Sequence, residues 1–318
     1  MNSVETVTIL VPVYNEAEVL SALIGRLDKL IASFEIEINV LLVDDGSVDQ
    51  TPIIIEDALA GKRNYSALFL SRNFGHAGAI TAGISEIGES ADAVFIIDAD
   101  LQDPPELLTN FLQKMGEGYD VIYGVRKKRK ESFGKRASYR LYYRLLKRFS
   151  NVKMPLDAGD FSLISKRVVA QLKRMPEESR YLRGMRSWVG FKQVGVEYER
   201  SERHLGKPKY SVGSLFKLAF NGVFNFSEFP IRFIGYVGLF SVLLSIFYLA
   251  ITLYKKFVHG TVPEGFTALI FAIVLFSGVQ LLSIAVIGEY VLRIFFQVKQ
   301  RPLFIVKSRI VNGKTSDG

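Results

Sequence analysis

AVFIIDADLQDPPE, residues 93–106, passes from an unbroken apolar run directly into Asp98, Asp100 and Asp103, and then into the pair Pro104-Pro105. A short apolar run closed by turn-forming residues reads as a strand buried on both faces. Further runs repeat that grammar at Val7–Val11, Asn39–Val43, Ala67–Leu70 and Val121–Tyr123, with amphipathic helical patterns between them. Strands alternating with helices imply an α/β domain on a Rossmann-like, mostly parallel sheet, and such a sheet binds ligands beyond the carboxyl ends of its strands. The residues to examine are therefore those at the strand exits: Pro12 to Glu16, Asp44 to Ser47, Ser71 to Gly75, Asp98 to Asp103 and Gly124 to Arg126.

Acidic side chains bunched at a strand exit suit a hard divalent cation. Mg²⁺ characteristically takes one or two carboxylates and fills its remaining positions with substrate phosphate and water. An isolated Asp-x-Asp is often no more than surface charge or a helix cap. A second cluster, Asp44-Asp45-Gly46-Ser47, also leaves a strand, where its plain reading is an N-cap and turn before a helix beginning near Gln50. Two such clusters at parallel strand ends shift the balance, because carboxylates that repel one another need a cation or hydrogen bonds from a ligand.

The chain has 318 residues, 49% of them hydrophobic, more apolar material than one soluble domain carries. The excess sits in two charge-free stretches, Phe233–Tyr254 and Phe266–Gly288, each close to the ~20 residues that span a bilayer. Basic residues crowd the segment before the first stretch and follow the second, so both termini and the α/β domain are expected on the cytoplasmic side of a multi-pass inner-membrane protein. Glu289 and Arg293, one turn apart at the end of the second stretch, suit an ion pair. Ahead of the spans, Ser211–Phe229 places Val212, Leu215, Phe216, Ala219, Phe220, Val223 and Phe226 at helical spacing, as an interfacial helix or a helix packed on the domain would. The expected organisation is a domain over residues 1–210, a juxtamembrane helix over 211–229, two spans over 230–296 and a cytoplasmic tail over 297–318. Met1–Val13 has no basic n-region and reads as a first strand, not a signal peptide. Cysteine is absent, which removes disulfides, thiolate metal sites and cysteine nucleophiles.

Taken together, TILVPVYNEAEVL (8–20), LLVDDGSVDQT (41–51), LSRNFGHAGAITAGI (70–84), IDADLQDPPE (97–106), DVIYGVR (120–126) and DAGDFSLISKRV (157–168) resemble the family-2 glycosyltransferases of the GT-A fold. More narrowly they resemble the polyprenyl-phosphate branch, which includes dolichol-phosphate mannose synthases and bactoprenol glucosyltransferases. The likeness runs from about Thr6 to Tyr210, and the two apolar stretches match the bactoprenol subgroup. The resemblance implies an inverting transfer of a hexose to undecaprenyl phosphate, with glucose from UDP-glucose as the leading expectation and GDP-mannose or a UDP-N-acetylhexosamine as the alternative donor. It places Pro12, Tyr14, Glu16, Asp44, Asp45, Arg72, Asp98 and Ala99 around the nucleotide-sugar, and Asp98, Asp100 and Gln102 around Mg²⁺ or Mn²⁺. Asp157 and Asp160 stand where the family keeps its catalytic aspartate, Asp157 being the first choice. Arg126, Arg136, Arg200, Arg203 and Lys209 match positions expected to contact the lipid phosphate.

The formal charge of +8, from 40 Lys and Arg against 32 Asp and Glu, asks for an anionic partner. Basic and aromatic residues interleave over Arg126–Phe149, a pattern that also suits nucleic acid. Beside a membrane an anionic leaflet is the better partner, and solvated helix charge is the plain alternative; no nucleic acid is expected. Gly75, Gly78 and Gly83 lack the G-x-G-x-x-G spacing, so no nicotinamide cofactor is implied. His76 precedes a small-residue helix, where it faces the donor, caps or packs. Small residues in the spans permit a homo-oligomer, and a flippase is a conceivable partner. The rival readings are a processive polysaccharide synthase, disfavoured by two spans and by MRSWVG (185–190) in place of Q-x-x-R-W; a catalytically silent nucleotide-binding scaffold; and a DNA-binding membrane protein.

Overall fold

A computed structural model describes residues 4–126, 158–178, 180–199, 229–259, 265–311 and 314–317. In chain order the elements begin with β1 (Thr6–Val13), α1 (Ala17–Ala32), β2 (Glu37–Asp44), α2 (Thr51–Leu59), β3 (Tyr65–Leu70), α3 (His76–Glu86) and β4 (Ala93–Ile96). A short 3₁₀ turn (Pro105–Leu107), α4 (Leu108–Gly116) and β5 (Val121–Arg126) follow. After them come β6 (Ala158–Ser165), α5 (Lys166–Arg174), α6 (Leu182–Trp188) and β7 (Gln193–Tyr198). Two long helices, α7 (Phe229–His259) and α8 (Phe266–Lys299), precede β8 (Val306–Val311) and β9 (Lys314–Asp317).

The nine described strands form one sheet in the order β7-β5-β6-β4-β1-β2-β3-β8-β9. The core β4-β1-β2-β3 is parallel, and β6 and β8 pair antiparallel on its two sides. Alternating strand residues feed two apolar layers. Val7, Ile9, Val11 and Val13 pack with Leu20, Leu23 and Leu27 of α1 and Phe111 of α4, while Leu10, Leu41 and Val43 pack with Ile80 and Ile84 of α3 and Val168 of α5. Period-two alternation with both faces buried explains why these strands read as continuous apolar runs. The chain lays β2 and β3 on one side of β1 and then places β4 on the other. That reversal opens a crevice at the carboxyl ends of β1 and β4, the place where open α/β sheets bind ligands.

Helices α7 and α8 differ from the other described helices. Each contains a stretch long and apolar enough to cross a bilayer, Phe233–Val258 and Leu275–Lys299. Their large side chains face outward, with Leu281 at 68% and Phe240 at 66% exposure, so no protein core accounts for their composition. Arg293 and Glu289 form the expected i,i+4 pair at 2.9 Å. The end of α8 also touches the sheet domain, where Gln297 donates to the Pro176 carbonyl and accepts from the Glu178 amide.

The C-terminal segment departs from expectation. Residues read as a tail contribute β8 and β9, with β8 antiparallel to β3 (Ala67 opposite Ile310) and β9 capping its outer side. The free edge of β3 is a row of unpaired backbone groups, and VKSRIV satisfies it. Ile310 is buried against the sheet's core. The interfacial helix expected over 211–229 lies outside the described residues, apart from Phe229 at the start of α7.

Candidate active site

Asp44 is the last residue of β2 and is 2% exposed. Its carboxylate accepts from the Ser47 amide at 3.2 Å, and burial pushes its pKa up in spite of that bond. The loops after β1 and β2 are knitted together. The Asn15 amide donates to Ser47 Oγ, the Val48 amide to Asn15 Oδ1, and the Glu16 amide to Thr51 Oγ1, each at 2.9 Å. Asn15 adopts φ 51°, a left-handed conformation that asparagine tolerates better than most residues. Gly46 takes φ +69°, and a Cβ there would lie 2.4 Å from the Arg72 carbonyl carbon. Only glycine lets the loops after β2 and β3 approach so closely.

Between them lies a cleft of about 440 Å³ lined by Tyr14, Asp44, Ser47, Glu56, Arg72 and Lys307, among others. Of the expected nucleotide residues, the structure therefore brings together Tyr14, Asp44 and Arg72. The Arg72 guanidinium is braced over the Phe74 ring at 4.0 Å. Asp45 turns away from its neighbour and accepts from the Phe74 and Gly75 amides at 2.7 and 2.9 Å, holding the loop after β3. Pro12 lies within β1 opposite Val43, and Ala99 is buried in the apolar core. Glu16 caps α1 through its carbonyl, which accepts from the Val19 and Leu20 amides.

A second polar cluster gathers beyond β4 and β6. Asp98 and Asp100 follow β4, and Asp100 accepts from the Gln102 amide at 3.1 Å. Leu101 between them has φ 60°, a strained conformation of the kind that collects at functional sites. Gln102 is buried, and Asp103 accepts from the Tyr198 hydroxyl at 2.5 Å. Arg126, ending β5, lies beside Tyr198, Asp103 and Asp98; burial works against its charge, but these neighbours raise its pKa. Among the described residues no group of three or more His, Asp or Glu forms a ready-made metal cage. Two carboxylates at one strand exit do fit a cation that would fill its remaining positions with substrate phosphate and water.

Asp160 on β6 is the hub of the cluster. Arg183 donates to it twice, from Nε and Nη2, both at 3.2 Å, and His76 Nε2 lies 3.4 Å away. Burial would raise the Asp160 pKa, but Arg183 and His76 override it and hold the carboxyl well below its ordinary range. His76 also lies 3.7 Å from Asp98, which settles its position as a bridge between the two acids. Arg186, 5% exposed, donates to the Gly159 carbonyl at 3.2 Å. Sequence reasoning missed Arg183 and Arg186. Their signal was the i,i+3 spacing in YLRGMR, which puts both on one helix face. Asp157, Arg136, Arg200, Arg203 and Lys209 lie outside the described residues.

Burial opposes the charge on His76, but Asp160 and Asp98 win and raise it from 6.5 to about 9. A histidine raised on folding stabilises fully below its unfolded pKa, and that contribution is lost as pH rises through the folded value. The side chain is 36% exposed, so solvent screening limits the contribution to about 1 kcal/mol. In metal-free protein, the stability difference between wild type and His76→Gln is expected to shrink from pH 6.5 to about 9. Denaturant melts across that window check it; a constant difference contradicts the pairing.

The order of strands and the acid-lined crevice at the β1–β4 reversal describe an α/β domain with its ligand site at the carboxyl ends of the strands. The family model for glycosyl transferase family 2 matches residues 8–173, and the chain belongs to that family. It is a glycosyltransferase with a GT-A-like α/β fold. It is 40% identical over 94% of its length, and 93% of the relative's, to the uncharacterized glycosyltransferase YkcC of Bacillus subtilis. It is 37% identical, over 94% of both chains, to the uncharacterized glycosyltransferase sll0501 of Synechocystis. A prophage-derived bactoprenol glucosyl transferase of Shigella flexneri is 35% identical over 95% of this chain and 97% of its own.

Proposed function

We propose that the protein transfers a hexose, in the first instance glucose from UDP-glucose, to a polyprenyl phosphate, in a bacterium undecaprenyl phosphate, at the cytoplasmic face of the membrane. The observation that carries this reading is the near end-to-end likeness to a bactoprenol glucosyl transferase, which takes in the two apolar helices as well as the sheet domain. The pairing of β8 with β3 supports the sidedness. It holds the chain on both sides of the helical hairpin in one sheet, so α7 and α8 cross the bilayer as an even pair.

In this reading the cleft at β2 and β3 takes the nucleoside, and the diphosphate lies toward Asp98 and Asp100. Those two carboxylates, with Gln102, would hold Mg²⁺ or Mn²⁺. The cation's chemistry, once bound, is to neutralise charge on the departing diphosphate. An oxygen of the acceptor phosphate attacks the anomeric carbon from the side opposite the leaving group; the bond from that carbon to the nucleoside diphosphate breaks, and the configuration inverts. Arg126, Arg183 and Arg186 make the acceptor side electropositive and orient its phosphate. A phosphate monoester has its second pKa near 6 and is largely ionised at neutral pH, so no strong base is needed. Asp160 accordingly positions Arg183 and His76, and Asp157 has an orienting role toward the acceptor.

The test is transfer of radiolabelled sugar by the purified full-length protein with undecaprenyl phosphate and Mg²⁺ or Mn²⁺, offering UDP-glucose, GDP-mannose and UDP-N-acetylglucosamine in parallel. An organic-extractable, metal-dependent product from UDP-glucose is expected. A product from another donor corrects the sugar. No product from any donor, with nucleotide binding intact, would sink the reading in favour of a silent scaffold.

A further inference from the structure

Lys307 belongs to the chain segment that follows α8, yet it lines the cleft together with Tyr14, Asp44 and Arg72. Its place is set by an irregularity in the sheet. Ser308 lies opposite Phe69 and Val306 opposite Leu70, so Lys307 is the extra residue of a β-bulge at the carboxyl end of β3. Bulges of this kind re-aim a side chain and recur beside active sites. Its neighbour Arg309 is occupied by Glu86 at 3.4 Å, whereas among the described residues no carboxylate lies within ion-pairing distance of Lys307. The structure thus brings an uncommitted ammonium to the rim of the cleft from the far end of the sequence.

Its position along the sheet tells which part of a nucleotide it meets. Four strand spacings separate β4 from β8, and at ~4.8 Å each that is about 19 Å. The phosphates lie toward the acids after β4, so the end of the ligand over β3 and β8 is the base. A carboxylate acceptor from Asp44 and an ammonium donor from Lys307 fit a base edge that carries an N–H beside a carbonyl, as uracil and guanine do. Cytosine and adenine present the opposite order, an acceptor nitrogen beside an amino group.

We infer that Lys307 is a donor-specificity residue, its ammonium donating a hydrogen bond to the keto oxygen of the nucleobase. The inference rests on the proposed use of a nucleotide-sugar. It adds that the segment beyond the apolar helices helps to choose which one.

Calorimetric titration of the full-length protein in detergent, wild type against Lys307→Met and Lys307→Arg, tests it with UMP, UDP, UDP-glucose, GDP, CDP and ADP. Lys307→Met is expected to weaken whichever keto nucleotide binds, UDP or GDP, about tenfold, the loss of one charged hydrogen bond. CDP and ADP should be unaffected, and Lys307→Arg should retain most of the affinity. Where uracil is the base, UMP, UDP and UDP-glucose should lose the same factor. In transfer assays KM for the donor should rise by that factor while kcat stays within about twofold. A loss that grows from UMP to UDP, an equal loss for CDP and UDP, or no loss at all overturns the assignment while leaving the proposed reaction standing. Failure of the wild type to bind any nucleotide overturns the proposed reaction, and this inference with it.

Discussion

Asp98→Asn is expected to lower sugar transfer about a thousandfold while leaving nucleotide binding in chelator nearly unchanged. The substitution keeps the shape of the side chain and removes its charge. Asp98 sits at the exit of β4, beside His76 and within the field of Arg126, and without its charge Asp100 is left as the one proposed carboxylate ligand of the cation. A neutral amide there weakens cation binding and misplaces the departing diphosphate. The nucleoside cleft is two strands away, beyond β1, and its lining does not include Asp98. Single-turnover transfer at saturating metal, alongside nucleotide titration in chelator, checks both halves. A variant retaining more than about a tenth of wild-type turnover would show that Asp98 is not a cation ligand.

Asp160→Ala is expected to cost about 3 kcal/mol of stability and to abolish transfer, because it strands Arg183 without the carboxylate to which it donates twice. Asp160 is only 15% exposed and carries two hydrogen bonds from Arg183, so solvent does not replace it. Removing both partners removes the stranded charge. The double variant Asp160→Ala with Arg183→Met should therefore regain most of the lost stability. Transfer should not return with it, because the proposed acceptor phosphate would still lack its orienting cation. Denaturant melts and turnover on all four members of the cycle separate the two roles; recovery of activity along with stability would make the pair a structural brace only.

The sheet was legible in the sequence because each core strand is apolar on both faces and its run is stopped by an acid, a glycine, a serine or, in β1, by Pro12. The five strands read from those runs appear in the structure, β1, β2 and β3 extending by one or two residues at an end and β5 running on from Tyr123 to Arg126. Asp44 and Asp45 could not be told apart by their letters. Consecutive residues leave a strand on opposite sides, so one faces the cleft while the other is spent on the backbone of the next loop. The cation partners of Asp160 were hidden in α6, a helix of two turns without an apolar stripe long enough to announce it. The least legible part was the C-terminus. Lys307 and Arg309 alternate with Val306, Ser308 and Ile310 as an edge strand requires, but six residues of weak alternation after a long helix read as a polar tail. The partner that makes them a strand is β3, and nothing local in the sequence points to it.

That pairing sets an order of events during synthesis. The ribosome completes β1 to β7 long before residues 306–311 exist, so the nascent domain carries an open β3 edge while the apolar helices are still being made. The edge closes only when the chain has passed through both helices and come back. An assembled sheet is therefore a record that both apolar helices were made first, and a copy cut short before residue 306 keeps an unsatisfied strand edge, a template for aggregation.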